Sequence, residues 1–371
     1  MIGGLWLLRA PLADNFVADQ LDQRGVKAQY EIETIGPRTQ TLTNVIIGNP
    51  ARPDLRARRV EVDVGWSWSG PVVSAIRADG VRVQGRWVNG RLSLGEVDKL
   101  LPPPSDEPFA LPDITVALND ARGRFETPWG VFGGRVDGHG PLRRNFRGQV
   151  ALVSEMITAG ECKTGRVSAY GTLRIVGGRP RFAGPVRAGS INCPENGIRI
   201  ARIDTRIDAS LSDDFKQWSG GVDLAAAGLW ASGASLRNGS GTVAFAGGAP
   251  LTTLQFNLKG TNAQFADILV GSAQLKGSAK WGDVLGGDAS LIFTKAMLPP
   301  QYRGRLERSV AALAGSPVGP IADQLARSAG QAMANFSGQT ELALTGGGDT
   351  RRIDMIAPTL TSASGARLSG D

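Results

Sequence analysis

Apolar and polar residues alternate along most of this chain. The clearest run is "RRVEVDVGWSWSG", in which Val60, Val62, Val64, Trp66 and Trp68 occupy one phase and Arg59, Glu61, Asp63, Gly65 and Ser67 the other. A period of two is the signature of a half-buried strand. The stretch "VRVQGRWVNGRLSLG" adds a turn. Asn89-Gly90 suits a type I′ hairpin, whose two central positions both need φ > 0. A two-residue turn pairs Val88 with Arg91 and Trp87 with Leu92. Val83, Gly85, Trp87, Leu92 and Leu94 then share one side, and Arg82, Gln84, Arg86 and Ser93 the other.

Similar units recur almost to the end of the chain. "YEIETIGPRTQTLTNVIIGNP" reads as two strands, and strands resume at Ile114 with "DITVAL", whose apolar phase is Ile114, Val116 and Leu118. "GGVDLAAAG", "SGTVAFAGG", "TLQFNLKG", "SAQLKGSAKW" and "ASLIFTKAML" continue the pattern. Ile198 and Ile200 sit in one phase and Ile203, Thr205 and Ile207 in the other, which predicts a bulge near Ala201 or Arg202. The units vary in length, so they form a degenerate array and not a strict repeat.

Two stretches depart from this pattern. "PLADNFVADQLDQRG" spaces Leu12, Phe16, Val17 and Leu21 as a short amphipathic helix, with Pro11 near its start and Gly25 as its stop. Residues 301–334 read as two helical segments broken at Gly315-Ser316-Pro317, with Leu306, Val310 and Leu313 on one stripe and Ile321 and Leu325 beginning another. "MIGGLWLL", eight residues followed by Arg9, is too short to span a bilayer, which takes about 20. It reads as the end of an inner-membrane anchor whose start is missing, and the final "SGARLSGD" as an unfinished strand.

Composition narrows the function. The 371 residues include 50 glycines, and the formal net charge is +7. The arginines are scattered, with "RRNFR" the densest run, and paired aromatic platforms are not evident, which argues against nucleic acid. No nucleotide-binding, metalloprotease or serine-hydrolase motif is present. The single histidine, His139 in "DGHG", reads as a solvated turn residue, and Asp213-Asp214 as a polar turn. No cofactor or metal is expected, and no enzyme. Cys162 and Cys193 are the only cysteines, and they are expected to form an extracytoplasmic disulfide.

Many amphipathic strands can close as a sandwich, line a barrel, stack as a β-helix or border an open trough. The stretch from Pro11 to about Val150, including "PLADNFVADQLDQRGVKAQYEIETIGPRTQTLTNVIIGNPARPDLRARRVEVDVGW" and "VSAIRADGVRVQGRWVNGRLSLGEVDKLLPPPSDEPFALPDITV", resembles the N-terminal region of YdbH-type proteins of the AsmA-like superfamily. The resemblance implies a mainly β fold, a long, twisted, open β-groove of many short strands. It also implies an inner-membrane anchor in a Gram-negative cell and a periplasmic body that carries phospholipids between the two membranes. Partners would be phospholipids, the inner membrane, and a protein of the periplasm or outer membrane. The other use of the same faces is a β-rich envelope scaffold or adhesin-like protein with a closed core.

On this reading the chain divides into an anchor end (1–10), a helix with the first β layers (11–101), a Pro-rich linker (102–112), a β array (113–300), a helical insertion (301–336) and a resumed array (337–371). The expected groove lining is Val60, Val62, Val64, Trp66, Trp68, Val81, Val83, Trp87, Leu92, Leu94, Ile114, Val116 and Leu118. Small residues such as Gly85, Ala226 and Ala244 would leave room for acyl chains. Strand phase fixes which residues share a face, but not whether lipid or protein covers it.

Overall fold

A computed structural model describes residues 16–36, 38–68, 70–100, 110–231, 233–282, 284–299, 335–347, 350–363 and 367–370, with 301, 302, 304, 305, 308, 321, 323, 324, 326–328, 330 and 365. The chain is mainly β. It divides into two units, residues 1–187 with 208–216 and residues 188–207 with 217–371. The proposed anchor end, Leu306, Val310, Leu313 and Leu325 lie outside the described residues; those described between 301 and 330 are helical.

The first unit opens with helix α1 (Phe16–Gln23), which Gly25 ends at φ 60. Strands β1 (Ala28–Ile35), β2 (Thr39–Asn49), β3 (Arg52–Ser67) and β4 (Gly70–Asp79) follow as an antiparallel meander. Strand β5 (Arg82–Val88) continues the line of β4 past Gly80 and pairs with β6 (Arg91–Ser93). In this hairpin Val88 faces Arg91 and Trp87 faces Leu92, as predicted, and Asn89 and Gly90 have φ of 49° and 80°. Strand β7 (Thr115–Thr127) then runs parallel to β4 and to β5 in turn. Strands on both sides of residues 102–112 thus share one sheet. Strands β8 (Gly130–Pro141), β9 (Asn145–Ser154) and β12 (Val167–Val176) extend it antiparallel, with the short β10 (Thr158–Ala159) and β11 (Cys162–Thr164) between the last two.

His139 is not in a turn. It sits in β8, opposite Ala117 and Arg147. The flanking glycines mark close packing instead. A Cβ on Gly138 would lie 2.6 Å from the Phe146 ring, and one on Gly140 would meet the Asn145 carbonyl oxygen at 2.4 Å. Only glycine fits such an approach.

The second unit contains β14 (Ile191–Cys193) and most of β15 (Ile198–Leu211), where Ala201 and Arg202 are exposed in succession between half-buried isoleucines. Beyond them runs a simple antiparallel meander: β16 (Gln217–Ala231), β17 (Ala234–Gly248), β18 (Thr252–Phe265), β19 (Ile268–Trp281), β20 (Val284–Met297), β21 (Phe336–Gly347), β22 (Thr350–Ser362) and β23 (Arg367–Ser369). Both cysteines are disulfide-bonded.

One row of residues crosses each meander with its ladder pairing interrupted. In the second unit it runs Gly228, Arg237, Asn262, Gly271, Lys295, and Gly228, Asn262 and Lys295 have φ of 60°, 53° and 55°. In the first unit it includes Asn44, Gly80 and Asp120, at φ 52°, 64° and 51°, with Arg58 opposite Asn44. A left-handed residue inside a strand rotates the pleat, so the face-bearing phase advances by three positions instead of two. Leu42 and Val45, with Ile47, belong to one buried cluster, as do Ala57 and Val60. Likewise the Leu236 methyls lie 2.6 Å and 3.3 Å from where Cβ atoms of Gly260 and Gly239 would sit. Phe293 and the buried Ala296 make the same three-residue step. The slip therefore keeps apolar side chains on one face along the whole of each strand.

In the first unit an ion cluster holds the row. Arg82 donates to the Asp120 carboxylate at 2.6 Å and Arg122 at 3.0 Å, while the Asp120 N–H donates to Asp137 at 2.7 Å. In the second unit residue type does more of the work. Asn262→Val, which places a β-branched side chain at positive φ, is expected to lower stability by about 1–2 kcal/mol. Asn262→Gly is expected to stay within about 0.5 kcal/mol of the wild type, since glycine accepts this conformation freely. Urea unfolding of the two variants checks both.

Candidate functional site: a one-sided apolar sheet

In the second unit the register assembles the alternating residues into an apolar wall. One cross-strand row reads Val222, Val243, Phe256, Gly277, Ala289, Leu342. The next reads Leu224, Gly241, Leu258, Leu275, Leu291, Thr340, and on the other side lies Gly220, Phe245, Leu254, Ala279, Gly287, Leu344. No position in these rows carries a charge, and Thr340 is the one polar side chain. Its hydroxyl is turned back to the backbone, donating to the Ile356 carbonyl at 3.1 Å. At the usual strand spacing, six strands span about 24 Å.

The reverse face is polar. Its corresponding row reads Asp223, Thr242, Asn257, Lys276, Ser290, Glu341, and Gln274 donates to Asn257 at 2.8 Å. Ala244 lies opposite Gly221, in the phase of this reverse face, and is exposed. It does not line the wall, whereas Ala226, opposite Gly239, does. The alternation in "GTVAFAGG" contains only small and apolar residues, so both phases look alike in sequence.

Among the described residues, no large side chain of this wall is buried; all are half-buried. Among the described residues of the second unit, the only buried hydrophobic residues are Cys193, Ala296 and Ala326. A closed sandwich of these strands would bury its Leu, Val and Phe side chains against an opposing sheet.

The first unit treats its apolar face differently at its start. Helix α1 lies over β2 and β3. Leu21 and Val26 are buried with Leu42, Val45, Ile47 and Ala57, and Val17 packs against the buried Val62 and Val64. Protein thus covers Val60, Val62 and Val64. Trp66 is half-exposed and Trp68 fully exposed at the end of β3. Val81 packs on the α1 cluster, and Val83 faces Leu55. The space above Gly85 is taken by Phe125, Leu92 and Leu94, whose atoms lie 2.7–3.3 Å from an added Cβ, so this glycine makes room for protein and not for a ligand. Ile114, Val116 and Leu118 are half-buried, the last two facing Gly140 and Gly138.

Of the second-unit wall, the sequence alone points to Ala226, because the other members are scattered over six strands and only pairing gathers them. Their uniform phase was visible, but not which rows they would form.

Among the described residues, charged groups held in ion pairs line part of the polar face. A cleft of about 690 Å³ in the first unit is lined by Glu61, Arg77, Asp137, His139, Arg147 and Arg174, among others. Glu61 bridges Arg59 and Arg77, and Asp137 is held by Arg135 at 2.7 Å. The Arg82 hydrogen bond holds Asp120 below the ordinary aspartate range, and Arg135 does the same for Asp137. Carboxylates depressed in this way suit structural ion pairs and not proton transfer at neutral pH.

A family model described as "YdbH-like: Intermembrane phospholipid transport protein YdbH" matches residues 1–369. No curated protein and no solved structure matches the chain.

The depressed pKa values carry a pH dependence. Asp120 and Asp137 titrate lower in the folded chain than unfolded, so their stabilisation is complete above the unfolded pKa of about 4 and is lost as pH falls through the folded values. The urea midpoint is therefore expected to be level from about pH 7 to 5 and to drop below about pH 4. Asp120→Asn should show a smaller drop over the acid range, measured by the same titration.

Proposed function

The chain belongs to the YdbH-like family of intermembrane phospholipid transport proteins, and on that footing we propose that its one-sided sheet is the surface along which the lipid moves. The family is one of lipid transport and not of enzymes, and its work lies in the cell envelope. The finer reading is a bridge. Acyl chains lie on the apolar wall, head groups stay in water, and the lipid diffuses along the array. The observation that carries it is the uncharged wall on β16 to β21, whose large side chains are only half-buried among the described residues.

The energetics suit a conduit. Exposing an acyl chain to water costs about 0.8 kcal/mol per methylene. A wall with similar apolar character at each successive strand offsets that cost everywhere, so the lipid meets neither a deep trap nor a high barrier. No polar group on the wall would hold one head group in preference to another. No helix among the described residues is long and apolar enough to cross a membrane. The inner-membrane anchor therefore rests on the apolar Met1–Leu8 segment, and a periplasmic or outer-membrane partner on the bridge reading itself.

In the second unit the proposed lining is this wall; in the first it is Val83, Trp87, Leu92, Leu94, Ile114, Val116 and Leu118. Val60, Val62 and Val64 would join only where α1 is displaced. The scaffold alternative needs a closed core, and it is less favoured because the buried hydrophobic residues among those described in the second unit are only Cys193, Ala296 and Ala326.

A photo-crosslinker at Leu258 or Phe245 is expected to capture phospholipid, and one at Gln255 on the reverse face is not. Mass spectrometry of the adducts reads the result, and protein-only adducts at Leu258 would sink the proposal. Leu258→Asp with Leu291→Asp is expected to cut retained lipid at least about tenfold, because each carboxylate is desolvated when a chain lies over it. Retained lipid should also resist about 1 M salt, since contacts with the wall are apolar.

A further inference from the structure

The first unit has an exposed aromatic cluster at one set of strand ends. The β5–β6 hairpin, the β7–β8 turn and the segment after β9 meet there. Trp87 and Trp129 pack edge to face with ring centroids 5.1 Å apart. They remain 37% and 45% exposed, and nearby Met156 is 53% exposed. The Trp129 carbonyl accepts the Thr158 N–H at 2.7 Å, which ties the turn to the segment carrying Met156. Val88, Leu92 and Val131 extend the patch and are also exposed. Trp87 and Leu92 belong to the apolar face of the sheet, so the patch is the outer end of that face.

Two features identify what covers it. Neither indole N–H has a protein acceptor among the described residues. A fixed ring with a free polar tip suits the boundary between hydrocarbon and water, where tryptophan is enriched. The rim is also cationic. Arg86 and Arg124 share one carboxylate, Glu126, at 3.6 Å and 3.7 Å, and Arg91 in the hairpin has no acidic partner among the described residues. Glu155, next to Met156, is paired with Arg166 at 3.6 Å, so four guanidinium groups stand against two carboxylates and leave an excess that anionic head groups would neutralise.

We propose that this end of the first unit docks on the surface of a bilayer containing anionic phospholipid. The two indoles sit at head-group depth and the arginines contact phosphates. The apolar face then opens directly onto the layer from which acyl chains are drawn. This builds on the reading of the apolar face as a lipid path, but it concerns a different contact.

The test is flotation of the full-length protein with phosphatidylglycerol-containing vesicles and with purely zwitterionic ones. The wild type is expected to prefer the anionic vesicles and to lose most of that preference in about 0.5 M salt. Trp129→Ser with Arg91→Glu should weaken anionic-vesicle binding about tenfold or more, since each cation near such a surface contributes appreciably and the indole adds to it. Trp129→Ser loses its ring contact with Trp87, so a small fall in the unfolding midpoint is expected, whereas Arg91→Glu alone, at an exposed position, should leave the midpoint unchanged and still weaken binding. Equal binding by wild type and variant, as an apolar N-terminal segment alone would give, overturns the proposal. So does a wild type that shows no anionic preference, or one whose patch proves to be a self-association surface, seen as a lower mass for the variant in sizing. The variant should still crosslink phospholipid from Leu258. Loss of that crosslink in the wild type, with vesicle binding intact, would refute the transport path and leave the docking site standing.

Discussion

A single sheet that is oily on one side must either find a second layer or leave that side for something else. In this protein both answers occur. At the start of the first unit α1 supplies the second layer, and the largest buried cluster among the described residues forms beneath it. In the second unit the strands carry equally apolar residues, yet among those described the buried hydrophobic residues are a cysteine and two alanines. The transport reading follows from this scarcity of buried side chains: on the proposed function a lipid supplies the hydrocarbon over the wall.

One-sidedness depends in turn on a backbone device. Strands of 12–16 residues would drift out of phase wherever the pleat is interrupted. Here the interruption falls in register across neighbouring strands, at Gly228, Asn262 and Lys295. All strands change phase together, so the wall is preserved. Asn44, Gly80 and Asp120 do the same in the first unit. Five of these six are Asn, Asp or Gly, which tolerate φ > 0 because their short polar side chains bond locally or because they lack a Cβ. Lys295 is the exception.

Much of this was legible in the sequence. The strand phase of Val60 to Val64 and the Asn89-Gly90 hairpin were read correctly, because turn chemistry and alternation chose the same register. The phase slips were not seen, with a visible cost. "GGVDLAAAG" stops at Gly228, "TLQFNLKG" stops just short of Asn262, and "SAQLKGSAKW" begins just after Gly271. Each strand was cut where its phase changed, so long strands looked short. Glycine misled in a second way: around His139 it marked tight packing against Phe146, not a turn. Coverage could not be read at all. Val62 and Leu258 have the same local pattern, and only tertiary structure puts α1 over one, which is buried, and leaves the other half-buried.

The second-unit meander has a further consequence for how the protein comes into being. From β16 to β20, each strand hydrogen-bonds to the strands just before and after it in the chain. Such a topology needs no distant segment to close a core, so loop-closure entropy stays low and hairpins can be added one at a time. A polypeptide threaded out of a translocation pore could therefore build this part of the sheet progressively, with each new ribbon templated by the last.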